Sequence, residues 1–147
     1  ELLALIQLKK DEHPNVKGYT LYSTMEPCPL CFGAFIMSNV GTLKYAARDS
    51  HCGSAELLDK SEYLRSKNVR IDGPLHELEI IQIALQTAWE LEHGGGRSSP
   101  LLERFGLDCP VGTNIGKRIL ESGYITEMRS LRHGVGEIVA RILAEID

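Results

Sequence analysis

Several features are missing from this 147-residue sequence, and each absence narrows the class of protein. No apolar run approaches the roughly 18 residues that a membrane-spanning helix requires. The first residues, Glu1 to Leu5, lack both the basic flank and the small-residue cleavage site of a signal peptide. A membrane protein and a secreted protein are therefore disfavoured, and a cytoplasmic location is the default expectation.

The sequence also lacks an excess of basic residues. It contains 16 Lys and Arg against 20 Asp and Glu, which gives a net charge of −4, and neither residues 1–96 nor residues 97–147 are basic by themselves. Proteins that bind a phosphate backbone generally present clustered Lys and Arg. The charge therefore favours a small-molecule substrate over a nucleic acid.

Cysteine is scarce as well, with four residues in the chain. A disulfide-stabilised secreted domain would normally be shorter and richer in cysteine. Cys52 and Cys109 are isolated and are expected to be small buried side chains. Cys28 and Cys31 form a CxxC pair, which in a protein of the reducing cytosol indicates metal or redox chemistry.

What the sequence does contain is an alternation of strand and helix patterns. β-branched and aromatic residues predict strands over residues 19–24, 42–47 and 69–71. Helices are predicted over residues 1–10, 28–39, 56–66 and 75–92. Because strands that are separated by helices generally pair in parallel, the expected fold class is α/β.

The last third of the chain differs in composition. Residues 94–100 combine glycine, serine and proline, which is typical of a linker. The sequence therefore predicts a domain over residues 1–93, a linker over residues 94–100, and an extension of two or three short helices over residues 101–147, whose role is unknown. In the helix before the linker, the residues expected to face the core are Leu78, Ile81, Leu85, Ala88 and Trp89.

The CxxC pair lies at a predicted strand-to-helix junction, in the segment TMEPCPLC that ends at Cys31. A spacing of three residues on the first helical turn puts both sulfurs on one side, and the free amides of a helix start stabilise thiolates. Two such thiolates can bind Zn²⁺ at ~2.3 Å or act as a redox pair. The spacing alone leaves zinc, redox and purely structural cysteines open.

The wider context of the pair is more specific. Residues 1–5 (ELLAL), residues 19–34 (YTLYSTMEPCPLCFGA) and residues 46–49 (AARD) together resemble the cytidine and deoxycytidylate deaminase superfamily, especially the branch with tRNA adenosine, guanine and cytosine deaminases. The signature of these enzymes is H-x-E followed by P-C-x-x-C. The resemblance spans about residues 1–92 and implies a three-layer α/β/α sheet, whereas residues 97–147 lie outside it.

The resemblance implies a Zn²⁺ cofactor and assigns roles to three residues. Cys28 and Cys31 match the two cysteine ligands, and Glu1 matches the glutamate that moves protons. The histidine ligand would stand two residues before Glu1, so it and the first strands of the sheet are expected in an upstream segment. Metal-bound hydroxide would attack the ring carbon that carries the amino group.

The same resemblance implies the partners of the protein. The expected substrate is a nucleobase or nucleoside, with tRNA less favoured because of the charge, and no membrane is expected as a partner. A homodimer is expected, and the apolar residues between 32 and 40 suit either a core or an interface. The substrate-binding residues cannot be assigned from the sequence.

Two other functions compete with the deaminase. Cys28-Pro29-Leu30-Cys31 after a strand is also typical of a thiol–disulfide oxidoreductase, although that fold needs a cis-proline facing the pair and the sequence before Pro74 is not typical of one. The second competing function is that of a non-catalytic binding module with a deaminase fold. None of the five histidines is an attractive replacement ligand, and His51, beside Cys52, is the first to examine.

Three further residues near the pair have open roles. Glu26 is either an anchor behind the site or part of a turn that Pro27 requires to be extended. Arg48 and Asp49 end a strand at the side where α/β sheets usually hold ligands, but a structural salt bridge is the simpler interpretation.

Overall fold

The structure is a computed structural model that describes residues 1–9, 11–94 and 99–146. Contacts divide the chain into two compact units, Glu1–Leu75 and His76–Asp147. The first unit combines strands with helices, and the described part of the second is entirely helical. No helix in the described part of the chain is long and apolar enough to cross a membrane.

A parallel sheet of three strands forms the centre of the first unit. The strands are β1 (Thr20–Met25), β2 (Thr42–Ala47) and β3 (Arg70–Asp72), in the order β1-β2-β3. Leu43 of β2 lies between Leu21 and Ile71 in the register. The α/β class and the parallel pairing predicted from the sequence are confirmed, and each strand begins and ends within one residue of its predicted bounds.

The helices of the first unit are α1 (Leu2–Leu5), α2 (Pro29–Ser38) and α3 (Glu62–Ser66), with 3₁₀ turns at Val16–Gly18 and Ala55–Lys60. Pro29 occupies the first turn of α2, where no amide partner is lost, and Asn39 ends the helix in the left-handed conformation with φ 60°. The Gly73–Pro74 peptide bond after β3 is cis, which the local sequence does not predict.

Two predicted helices are wrong in extent. The helix expected over residues 1–10 ends at Leu5, because Leu3 and Ile6 point into solvent and only Leu5 is buried, so little packing stabilises more turns. The helix expected over residues 56–66 is a 3₁₀ turn followed by α3, since Ser61 between them has an extended backbone.

The core of the first unit lies between α2 and the sheet. Phe32, Phe35 and Ile36 are at most 1% exposed and belong to the same cluster as Leu43 and Tyr45 of β2. From the sequence, the apolar residues between 32 and 40 are expected to belong to a core or to an interface. Phe32, Phe35 and Ile36 belong to the core, whereas Met37 on the same helix is exposed. Packing of α2 against the sheet fixes its first turn near the end of β1.

Five helices make up the described part of the second unit: α4 (His76–His93), α5 (Pro100–Asp108), α6 (Pro110–Glu121), α7 (Tyr124–Ser130) and α8 (Val135–Leu143). Helix α4 packs against α5, α6 and α8. The Ser99 side chain caps α5 by accepting a hydrogen bond from the Leu102 amide at 3.2 Å. The region after the linker thus holds four helices where the sequence predicted two or three.

The α4–α6 contact is unusually close. A β-carbon at Gly112 of α6 would lie 2.8 Å from the Ile80 carbonyl oxygen, and one at Gly116 would overlap the Ala84 carbonyl oxygen. The glycines therefore let α6 approach the backbone of α4 at Ile80 and Ala84. The buried residues of α4 are Ile80, Ile83, Ala84, Thr87 and Ala88. The prediction that Leu78 and Trp89 face the core is wrong, because both are about half exposed (49% and 51%).

The division by contacts differs from the predicted domain boundaries. Helix α4, which the sequence assigns to the first domain, groups with the helices that follow it, because α6 packs on it so closely. Residues 95–98 of the predicted linker lie outside the described residues. The assignment of residues 1–93 to one domain and the three-layer arrangement stay predictions.

Candidate metal and catalytic site

The site begins in the turn that joins β1 to α2. Cys28 immediately precedes α2 with an extended backbone (ψ 170°), and its carbonyl oxygen accepts the Phe32 amide at 2.8 Å. Cys31 follows in the first helical turn. Both are partly buried free thiols, and their side chains contact each other by a hydrogen bond. The predicted convergence of the two sulfurs is therefore present.

The helix start stabilises a thiolate at Cys28. The backbone N–H of Cys31, and to a smaller extent that of Leu30, donates to the Cys28 sulfur and lowers the pKa of this thiol below its ordinary value of 9.0. Cysteine binds zinc as a thiolate. The donor chemistry of Cys28 therefore fits a zinc ligand.

Cys31 differs from Cys28 because a carboxylate lies beside it. The pKa of Cys31 is raised to about 11, chiefly because its thiol hydrogen-bonds the Glu1 carboxylate, with burial as the second cause. The Ser23 hydroxyl of β1 also donates to Glu1 Oε1. Glu1, at the start of α1, thus lies at the CxxC pair, next to a hydroxyl that orients it.

A complete metal site is not found within residues 1–9, 11–94 and 99–146: no group of three or more His, Cys, Asp or Glu side chains there could hold a metal ion. His13 contacts the Tyr19 hydroxyl at 3.2 Å, and His93 contacts the Trp89 carbonyl oxygen at 3.0 Å. The histidine expected two residues before Glu1 stays a prediction.

The isolated cysteines behave differently from each other. Cys109 is buried, as expected for a small apolar side chain. Cys52 is exposed, contrary to the prediction, because its thiol donates to Asp49 Oδ2 at 3.0 Å at the surface of a loop. Asp49 Oδ1 accepts the backbone amide of His51 at 3.0 Å, so the side chain of Asp49 organises this loop.

Glu26 has a definite partner that the sequence left open. Its carboxylate accepts the amide of Ala55 at 2.9 Å and that of Asp49 at 3.4 Å, so it anchors a loop and does not merely occupy a turn. The sequence around Glu26 does not reveal this contact, because the partners lie more than 20 residues away. The one local indication is the neighbouring Pro27, whose side chain is buried.

A cavity of about 410 Å³ opens beside this anchor. Its volume lies within the range of small-molecule sites. Arg48 and Asp49, the two candidates from the sequence at the end of β2, are among the lining residues. The full lining is Glu26, Tyr45, Arg48, Asp49, Ser50, Gly53, Ala55 and Glu56.

Comparison with known proteins indicates the class of this segment. Residues 1–47 match the model of the cytidine and deoxycytidylate deaminase zinc-binding region. The matched residues include Glu1, Cys28 and Cys31 and end at the last residue of β2. Residues 1–47 are therefore similar to the zinc-binding region of the cytidine and deoxycytidylate deaminases, and this similarity supports Zn²⁺ among the three uses that the CxxC spacing leaves open.

A particular relative matches part of the chain. The chain is 42% identical over 44 residues to the tRNA-specific adenosine deaminase of Bacillus subtilis (strain 168), which is the kind of relative that the sequence resemblance leads one to expect. The match covers 30% of this chain and 27% of the relative, so the chain spans about a quarter of that protein's length. No solved structure matches the chain.

Proposed function

We propose that this chain carries the catalytic part of a zinc-dependent hydrolytic deaminase that acts on a nucleobase or nucleoside. The observation that carries the proposal is the position of the Glu1 carboxylate, which accepts the Ser23 hydroxyl of β1 and lies beside Cys31 at the start of α2. This position puts a proton-transfer group next to the two proposed zinc ligands, which is the arrangement that hydrolytic deamination requires. The family match over residues 1–47 supports the same function.

In the proposed mechanism, Cys28 and Cys31 would hold the zinc ion through their thiolates. A bound zinc ion would supply a Lewis acid that lowers the pKa of water at the site. Glu1 would accept a proton from the water that attacks the amino-bearing ring carbon, pass it to a ring nitrogen, and return a proton to the amino group so that it leaves as ammonia. The Ser23 hydroxyl holds the carboxylate in one orientation through Oε1.

Adenosine in tRNA is the second candidate substrate. The name of the Bacillus subtilis relative favours it. The net charge of −4 and the absence of a basic excess favour a free base or nucleoside, because tRNA binding relies on phosphate contacts. We retain the free base or nucleoside as first candidate, together with a homodimer in the cytoplasm.

An ammonia-release assay tests the function. The protein is expressed with any residues that its gene encodes before Glu1, and is offered adenine, guanine, cytosine, their nucleosides and tRNA. Release from a free base or nucleoside is the expected result. Release from tRNA alone would favour the second candidate, and no release from any of them would favour a binding module.

The variant Glu1→Gln gives the assay its control. Loss of the proton-transfer group lowers kcat by about 10²- to 10⁴-fold. Glu12→Gln, an exposed carboxylate paired with Lys9, leaves kcat unchanged. Equal activity of the Glu1→Gln variant and the unmodified protein contradicts the proposed role of Glu1.

A further inference from the structure

We infer that Glu26 is a positioning residue of the proposed site, whose carboxylate ties residues 49–55 (the cavity loop) to the turn that carries Cys28. The inference rests on the proposed function and adds to it the group that sets the position of the cavity loop. Glu26 stands in the turn between β1 and α2, two residues before Cys28.

The carboxylate of Glu26 contacts both ends of the cavity loop. Oε1 accepts the Ala55 amide at 2.9 Å, and Oε2 accepts the Asp49 amide at 3.4 Å. Ala55 is the first residue of the 3₁₀ turn Ala55–Lys60, where a backbone amide needs an acceptor from outside the helix. Hydrogen bonds from amides to a carboxylate are stronger than those between neutral groups, so one side chain holds the loop at two points.

The backbone of the same turn reinforces the connection. The Glu26 amide donates to the Ala47 carbonyl oxygen at 2.8 Å, which fixes the turn to the end of β2. The Ser54 amide donates to the Pro27 carbonyl oxygen at 3.0 Å. These backbone hydrogen bonds therefore join the turn before Cys28 to β2 and to the cavity loop, in addition to the contacts of the Glu26 carboxylate.

The fit between the loop and the carboxylate is tight. A β-carbon at Gly53 would lie 2.5 Å from the carboxyl carbon of Glu26, so the loop backbone runs directly against this side chain. Glu26 itself lines the cavity of about 410 Å³, together with Asp49 and Gly53. Loss of the carboxylate frees one wall of the cavity, while Cys28 keeps its place at the N-terminal cap of α2 and Cys31 its place in the first turn.

Substitution of Glu26 therefore affects substrate binding more than the chemical step. In the protein with any residues encoded before Glu1, Glu26→Ala raises KM by about 10-fold and changes kcat less than about 3-fold, because the loop is loosened and the ligands are not. Glu26→Gln, which keeps an oxygen that can accept the Ala55 amide, restores KM to within about 3-fold. A purely structural defect would lower the active fraction and hence kcat, and the isosteric variant would not correct KM selectively.

Amide hydrogen exchange measured by NMR tests the tether without any assay of activity. Glu26→Ala accelerates exchange of the Ala55 amide by about 10-fold or more. Glu56→Gln is the matched control: it removes a charge from the same cavity but no contact to this amide, so exchange at Ala55 is unchanged. If Glu26→Ala fails to fold, Glu26→Asp, whose side chain is one methylene shorter, replaces it with the same expected acceleration.

The two proposals fail in different ways. Unchanged exchange at Ala55 in the Glu26 variants, or equal acceleration in Glu56→Gln, overturns the tether while ammonia release by the unmodified protein still supports the deaminase. A fall in kcat with no change in KM overturns the positioning role. If the unmodified protein binds no zinc and releases no ammonia, the proposed function is wrong. The positioning role of Glu26 is then wrong as well, even if amide exchange shows that Glu26 holds the cavity loop.

Discussion

The two units of the chain bury their apolar surface in opposite ways. In the first unit, the large side chains of Phe32 and Phe35 fill the space between α2 and a parallel sheet. In the second, Gly112 and Gly116 let α6 approach the backbone of α4. The residues proposed for catalysis, Glu1, Cys28 and Cys31, all lie in the first unit. In the first unit, the ends of the strands and the start of α2 stay available for chemistry, whereas in the second unit the small residues are used for close contact between helices.

The largest effect expected from this comparison concerns zinc, which the first unit alone is expected to bind. In the protein with any residues encoded before Glu1, Cys28→Ser reduces the zinc content from about one ion per chain to nearly none, because a neutral hydroxyl replaces a thiolate. Metal analysis by mass spectrometry measures it. Cys52→Ser is the control, and this variant is expected to keep its zinc. A Cys28→Ser protein that keeps its zinc would contradict the assignment of Cys28 as a ligand.

The next effect concerns the core of the first unit. Phe35 is fully buried, so Phe35→Ala removes packing and leaves a cavity, at a cost of about 3–5 kcal/mol in the free energy of unfolding. Urea denaturation followed by circular dichroism measures this change. Met37→Ala, on the exposed side of the same helix, changes the free energy by less than about 0.5 kcal/mol. Similar losses for both variants would mean that α2 is not held by its Phe35 face.

A smaller effect is expected for the glycine contact of the second unit. Gly116→Ala forces a methyl group against the Ala84 carbonyl oxygen and destabilises the protein by about 1–3 kcal/mol. Gly106→Ala in α5 meets no atom within 4 Å and stabilises by up to about 1 kcal/mol, because alanine favours the helix. Thermal unfolding of the two variants gives opposite shifts. A stabilising Gly116→Ala would show that α4 and α6 do not touch through their backbones.

The smallest effect concerns the ion pairs of Glu145 in the second unit, whose contribution to stability depends on pH. Arg118 at 2.7 Å, and then Arg141 at 2.8 Å, lower the pKa of Glu145 below its ordinary value of 4.5. The stabilisation is therefore present above pH 4.5 and is lost as the pH falls through the folded-state pKa. Glu145→Gln costs less than about 1 kcal/mol at pH 7, and the difference disappears at acidic pH. Urea titrations at several pH values test this, and a cost independent of pH contradicts it.

The sequence predicted those features that local patterns determine. Alternating β-branched residues gave the strands, and a CxxC pair with Pro29 between the cysteines gave a helix start with two convergent sulfurs. The resemblance to the deaminases pairs Glu1 with the two cysteines, and the structure puts its carboxylate beside Cys31, although Glu1 is 27 residues from Cys28 in the sequence. The roles of the three residues stay predictions.

Features that depend on distant contacts were not predictable in this way. The sequence of α4 offers two apolar stripes, and only the glycines of α6, about 30 residues away, decide which stripe is buried. Cys52 is exposed because Asp49 accepts its thiol, and Glu26 is an anchor because Ala55 lies opposite it in space. Each of these outcomes is set by a partner that the local segment does not contain.

Helix α2 both fills the core of the first unit and carries part of the proposed metal site. The same ten residues that fill the interior with Phe32 and Phe35 also present Cys31 and follow directly on Cys28. A change that re-packs the interior shifts the sulfurs by the same rigid rotation of the helix. Larger interior side chains in this helix would therefore also displace Cys31, and stabilising changes are better placed at Gly33, where a methyl group meets nothing within 4 Å.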